Sequence, residues 1–266
     1  MGNQKKSLLW QLDHPATAMP SFLFGTMHVR DRQAFLFLNK VYSCLRQCEA
    51  VAVEYDLSTF TAPDISQALI LPGEQKISDY FSRKSFSKLQ AILFKAFQLD
   101  IRTYERFVPL FFINLVSEQL LQQDQPLALD AQIWQYAGEN GKIRLGIETL
   151  EEQMAVLEKI PLDHQLQLLR GMARNVSKFR SATLRSTAIY QHADPYRLYR
   201  LVRRSSQGLR KLLLFRRNHV MAGRIDLIVR QQPTLCAIGA GHLAGKEGVL
   251  RLLKRKGYKI SPLPIP

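Results

Sequence analysis

Long apolar runs, cysteine and tryptophan are scarce in this 266-residue chain, and acid is scarce relative to base. No stretch approaches the roughly 18 consecutive apolar residues that a helix crossing a bilayer needs, so no transmembrane segment is expected. There are three cysteines, an odd number. Cys44 and Cys48 lie four apart in the helical stretch SCLRQC, and Cys236 falls in an apolar strand. They read as buried small hydrophobes, and the pattern suits a reducing compartment. The opening MGNQKKSLLWQLDHP has only SLLWQL as an apolar stretch and no small-residue cleavage site after it. A cytoplasmic location is therefore expected, or an exported one if a signal has been trimmed away. Lys6 stands where an N-myristoylation signal requires Ser or Thr, which removes that reading of the Met-Gly start.

Acid is outnumbered 22 to 37 by Lys and Arg, for a formal net charge of +15. The excess is concentrated between Gln165 and Arg230, where fifteen Arg or Lys face only Asp194 and Asp226. Such a block can serve nucleic acid, an anionic surface or acidic ligands. No zinc finger, RNP motif or set of aromatics interleaved for base stacking accompanies it, so nucleic acid is disfavoured. The block reads as the solvated face of amphipathic helices, with contact to an anionic surface left open. Oligomeric state is not fixed by the sequence.

The 46% hydrophobic content is enough for one large domain, and 1–266 is read as such. Strands are expected at Leu8–Leu12, Ser21–Gly25, Ala50–Tyr55, Ile143–Glu148, Leu235–Ala240 and Tyr258–Pro262. AVAVE, RLGIE and LCAIGA are near-continuous apolar runs, as for central strands covered on both faces. Helical patterns separate them at Gln33–Cys48, Asp130–Asn140 and Leu243–Lys256. Two helical insertions are expected, at about 78–123 and 163–230, the second as three long helices with an apolar stripe through Leu166, Leu169, Ala173 and Val176. Asp194–Pro195 has the chemistry of a helix start. The fold class is thus α/β, with a mixed, largely parallel sheet built from both chain ends and large helical insertions.

Four of these strands lead into a chemically capable residue: His28 in FGTMH, Glu54 in AVEYD, Glu148 in LGIET and His242 in IGAGH. Ligands of parallel α/β sheets sit outside the carboxyl ends of the strands, so these four side chains are expected to converge. Two imidazoles and a carboxylate form a common ligand set for Zn, Mn, Fe or Co, and a spare carboxylate serves as general base. Gly25, Gly239 and Gly241 are expected to allow sharp turns and close backbone approach. In LLLFRRNHVMAGRIDLI an apolar stripe runs through Leu214, Met221, Ile225 and Ile228. Asn218 falls inside that stripe and Arg217 borders it, so both need polar partners. His14, His164, His192 and His219 lack such a setting and read as surface or structural residues.

Several ordered segments resemble the TraB/GumN family, which is related to the Tiki-type metalloproteases. LLWQLDHPATAMPSFLFGTMHVRD is similar to its opening, VAVEYD to its acidic strand and LALDAQIWQYAGENGKIRLGIETLEEQM to its middle motif. RRNHVMA resembles its Arg-Asn helix and CAIGAGHLAGKEGVLRLLKRKGYKI its closing motif. The resemblance implies a divalent-metal-dependent peptidase acting on a peptide or protein substrate. It implies His28, His242 and Glu54 around the metal, Glu148 as second ligand or general base, and Arg217 as an electrophilic or orienting residue. Asp130 also matches the middle motif, and its place at a helix start is sufficient to explain it as an N-cap. Two other classes stay open: a protein that sequesters a peptide or haem-like ligand in the same pocket, and an anion or nucleic-acid binder acting through its Arg-rich helices.

Overall fold

A computed structural model describes residues 6–58, 69–206 and 209–265. Six strands form one sheet: β1 Leu9–Asp13, β2 Ser21–Thr26, β3 Ala50–Tyr55, β4 Ile143–Glu148, β5 Thr234–Gly239 and β6 Lys259–Pro262, in the order β4-β3-β5-β2-β1-β6. The four strands from β4 to β2 run parallel. β1 is antiparallel to β2, and β6 is antiparallel to β1. The expected α/β class and mixed sheet are therefore present, with strands from both chain ends side by side.

The apolar runs explain this arrangement. All six residues of β2 are buried, as are the first five of β3 and of β5. Strands buried on both faces belong in the middle of a parallel sheet with helices on either side. Because the four run the same way, their last residues Thr26, Tyr55, Glu148 and Gly239 lie along one edge.

Ten α-helices are described: α1 Leu38–Leu45, α2 Arg83–Phe97, α3 Pro109–Gln119, α4 Leu129–Glu139, α5 Leu150–Glu158, α6 Leu162–Arg174, α7 Val176–Gln191, α8 Pro195–Ser205, α9 Arg217–Gln231 and α10 Val249–Arg255. The chain divides into two units. One comprises Met1–Ser58, Gln123–Gln153 and Ser186–Pro266, and the other Thr59–Gln122 and Met154–Arg185. The first holds the sheet and a continuous apolar core that includes Leu23, Phe24, Ala52, Ile133, Ile147, Ile225 and Ile238. The second has its own core, with Phe86, Leu93, Phe112, Val116 and Leu169 among its members. The expected insertion at 163–230 thus divides at residue 185, and its C-terminal half belongs to the sheet-bearing unit.

Several helices are more broken than the apolar periodicity predicts. In place of three long helices, 163–230 holds α6 to α9 and a π-helical turn at Lys211–Arg216. The stripe through Leu166 and Val176 is interrupted at Asn175, whose side chain accepts from the Lys178 N–H at 2.9 Å and so starts a new helix. Gln33–Cys48 is split into a 3-10 turn at Arg32–Phe35, capped by Asp31, and α1. Leu243–Lys256 is split into a 3-10 turn at Ala240–His242, a loop, and α10. Gly245 has φ +107° in that loop, a conformation that only glycine adopts freely. Asp194 caps α8 as expected, accepting from Tyr196 N–H at 3.1 Å and Arg197 N–H at 2.9 Å. The three cysteines are buried and unbridged.

One acid ties α9 to the C-terminal end of the sheet. Asp226 accepts from Arg230 at 2.7 Å, from the Tyr258 hydroxyl at 2.9 Å and from Lys256 at 3.2 Å. Burial disfavours its charged form, but these three donors prevail and hold the carboxyl below the ordinary aspartate value. A carboxyl depressed on folding stabilises fully above its unfolded pKa, about 3.9, and loses that contribution as the pH falls through the folded value. Asp226→Asn is therefore expected to lower the melting temperature at pH 7. The gap to the unsubstituted protein is expected to close as thermal melts are taken progressively below about pH 4.

Candidate active site at the strand ends

The strand ends bring together all five residues singled out for the site: His28, Glu54, Glu148, Arg217 and His242. Glu54 and Glu148 come from adjacent parallel strands, with Tyr55 opposite Glu148 in the β3–β4 register. Both carboxylates are buried, 7% and 5% exposed. Side by side and shielded from water, two carboxylates require a cation, and Arg217 at the start of α9 supplies it. Its Nε donates to both oxygens of Glu148 at 3.1 Å. Its Nη2 donates to Glu54 Oε2 at 2.9 Å and to Glu148 Oε2 at 2.5 Å. Burial of the guanidinium works against its charge, but the two carboxylates outweigh this and raise its pKa. Gln153 adds amide bonds to Glu54 Oε2 at 3.3 Å and Glu148 Oε2 at 3.4 Å.

The other oxygen of Glu54 accepts the Gly239 backbone N–H at 2.6 Å. A side chain at position 239 would place its Cβ 3.0 Å from that oxygen. Gly25 is tighter still, since an added Cβ would lie 2.5 Å from Leu243 Cδ1 and 3.1 Å from Ala240 Cα. Neither residue has positive φ. The close approach expected at both GxxH glycines is present, whereas neither has the left-handed backbone that a glycine-specific turn would need. The Tyr190 hydroxyl, on α7, donates to the Gly25 carbonyl at 2.8 Å and fixes the strand just before His28.

The two histidines occupy contrasting environments. His28 is half exposed. Its Nδ1 pairs with Asp130 Oδ2, and its Nε2 lies 3.8 Å from Glu54 Oε2. Partial burial opposes a charge on the ring, but the Asp130 and Glu54 carboxylates outweigh it and lift its pKa well above the ordinary histidine value. His242 is buried, and its Nδ1 lies 2.5 Å from Asn218 Oδ1. The Asn218 amide nitrogen donates to the Glu247 carbonyl at 2.6 Å, so its oxygen faces the ring and Nδ1 carries the hydrogen. Burial pushes the His242 pKa down to about 4, with the Arg217 charge acting in the same sense. In Glu54, burial favours the protonated acid, yet His28, His242 and Arg217 hold the carboxyl well below its usual value.

Asp130 was expected to be a helix N-cap, and the structure corrects this. The cap position of α4 is Ala128, and Asp130 lies inside the first turn, 6% exposed, against His28. Its signal in the sequence was its place on the buried stripe of Ile133, Trp134 and Ala137. Gln153 was also missed as a ligand of the glutamates. Arg224 is a third such residue. It donates to the Ile147 carbonyl at 2.9 Å and to both oxygens of Glu152, holding the end of β4. Glu152 in turn forms a capping box with Thr149 at the start of α5. His14, His164, His192 and His219 contribute nothing to this cluster. His219 pairs with Glu247, and His14 packs on Tyr258.

Among the described residues, no group of three or more His, Cys, Asp and Glu side chains is arranged to hold a metal ion. The donor chemistry of the two histidines nevertheless fits one. Each ring has its Nδ1 engaged, by Asp130 or by Asn218, which orients the ring and reserves Nε2 for a ligand role. Glu54 lies between them and fits as the third donor, although Arg217 and Gly239 hold its oxygens here.

Removing the guanidinium by Arg217→Met is expected to leave two buried carboxylates uncompensated and to cost about 3–5 kcal/mol in chemical denaturation. Gly25→Ala is expected to cost about 1–3 kcal/mol by the same measurement, through the clash with Leu243.

No solved structure matches this chain. Metalloprotease TIKI2 of Danio rerio is 22% identical in an alignment that covers 97% of this chain and 61% of that protein. The Metalloprotease TIKI homolog of Amphimedon queenslandica is 23% identical, covering 98% and 62%. Metalloprotease TIKI1 of Homo sapiens is 21% identical, covering 98% and 63%. The chain thus spans about three fifths of the length of these relatives. Residues 8–262 match the TraB/PrgY/gumN family, and with a match over nearly its whole length the chain belongs to that family.

Proposed function

We propose that this chain is a divalent-metal-dependent hydrolase of peptide bonds. The observation that supports the reading is the pair of histidines near Glu54, each with its Nδ1 engaged, which leaves Nε2 as the nitrogen for a metal. The relatives named as metalloproteases support the same class.

In this reading His28, His242 and Glu54 hold the metal, with Mn, Co, Zn and Fe as the candidates. When bound, the ion supplies Lewis acidity at the scissile carbonyl. Glu148 is the general base. Its Oε1 has only the Arg217 Nε as partner, whereas Oε2 is shared among Arg217 and Gln153. Oε1 therefore receives the proton from the attacking water and returns it to the leaving amine. Arg217 orients both carboxylates. Asp130 and Asn218 fix the two imidazole rings. Substrate is a peptide or protein.

The test is elemental analysis of the purified protein, followed by mass spectrometry of peptide mixtures incubated with it. Cleavage is expected to stop with EDTA and in His28→Ala and His242→Ala, and the bound metal is expected to fall in both variants. Glu148→Gln is expected to retain metal while losing turnover. Cleavage that survives EDTA and both histidine changes sinks the proposal, as does stoichiometric peptide binding without any cleavage.

A further inference from the structure

A cavity in the sheet-bearing unit lies outside the cluster of His28, Glu54, Glu148, Arg217 and His242. It measures about 430 Å³, within the range of roughly 300–1,000 Å³ that holds small organic ligands. Its floor is apolar. Trp10 on β1 and Ile260 on β6 reach it from one face of the sheet, since Leu12, two residues from Trp10, is opposite Ile260. Leu250 on α10 closes it from above. Three cations, Lys246, Arg251 and Lys254, complete the lining, and all three are exposed.

The charges have a defined arrangement. Leu250 and Lys254 are four apart on α10 and share one face, so that face runs from apolar to cationic within one turn. The acids nearest in sequence are committed elsewhere. Glu247 pairs with His219 and Arg255, and Asp226 with Arg230 and Lys256. Among the described residues, none of the three cations has a carboxylate partner. An apolar floor lined also by three cations without carboxylate partners is complementary to one kind of molecule.

We propose that this cavity binds a free single-chain amphiphile with an anionic head. The chain lies on Trp10, Ile260 and Leu250, and the head lies among Lys246, Arg251 and Lys254. Such a ligand buries apolar surface and relieves the mutual repulsion of the three cations in one step. Part of the wall is Leu243, Ala244 and Gly245, the residues directly after His242, so an occupant bears on the segment that carries the second GxxH histidine.

The probes are dodecanoate and dodecyl phosphate, titrated below their micelle concentrations into the full chain. The chain has two tryptophans, so a Trp134→Phe background leaves Trp10 as the reporter. Saturable change in its emission, with one-to-one stoichiometry by calorimetry, is expected for either probe. Arg251→Glu/Lys254→Glu is expected to weaken binding about ten-fold or more while leaving the melting temperature near that of the unsubstituted chain. If that variant fails to fold, added salt must weaken binding to the unsubstituted chain in the same direction. Absence of saturable binding overturns the proposal. So does equal affinity for dodecanol, or binding only to phosphatidylglycerol vesicles, which would mark a membrane-facing surface and not a cavity. The readout is binding, so its result is separate from whether the strand-end site cleaves peptides.

Discussion

Two ionised carboxylates at the ends of neighbouring buried strands repel each other strongly, because little water is present to screen them. The parallel pairing of β3 with β4 brings Glu54 and Glu148 into this position, and the guanidinium of Arg217 makes it tolerable. The remainder of the site follows from how Arg217 is held. It begins α9 immediately after a π-helical turn, a local irregularity that re-aims the side chains after it. Asn218, the next residue, reaches both the Glu247 carbonyl and His242. Arg224, two turns further along the same helix, anchors the end of β4 and Glu152. A single helix face thus neutralises the acids, orients one histidine and secures the strand that carries Glu148.

The two histidines show how burial and neighbouring charge together set the proton affinity of a ring. Asp130 is an anion, so it favours a charged His28. His242 is buried, and that burial, with the Arg217 charge acting in the same sense, disfavours a second proton on its ring. Two side chains of one type, near one glutamate, are thereby given opposite proton affinities.

Much of this was legible in the sequence because central parallel strands write themselves as unbroken apolar runs. AVAVE and LCAIGA fixed the strands, and parallel direction alone brought His28, Glu54, Glu148 and His242 to one edge. Asn218 was legible as a polar residue on an apolar stripe. Asp130 was passed over, because an acid near a helix start has a sufficient local explanation that hides its place on the stripe of Ile133, Trp134 and Ala137. Helix continuity was over-read at Asn175 and at Gly245, where a side-chain cap and a left-handed backbone overrode the apolar periodicity. Gly25 was read for turning and for close approach, and only the partner in that approach, Leu243, more than two hundred positions away, was out of reach of the sequence.

The place of β5 in the sheet carries a consequence for how the molecule comes into being. β5 lies between β3 and β2, yet it begins at Thr234. During synthesis the two strands that will flank it emerge early, with no partner for their facing backbone groups until most of the chain has been made. Two largely apolar strand edges stay open through that interval, and open edges of this kind recruit other strands. The second GxxH histidine arrives on the segment that closes the gap. The insertion of β5 between its neighbours and the arrival of His242 near Glu54 are therefore one event.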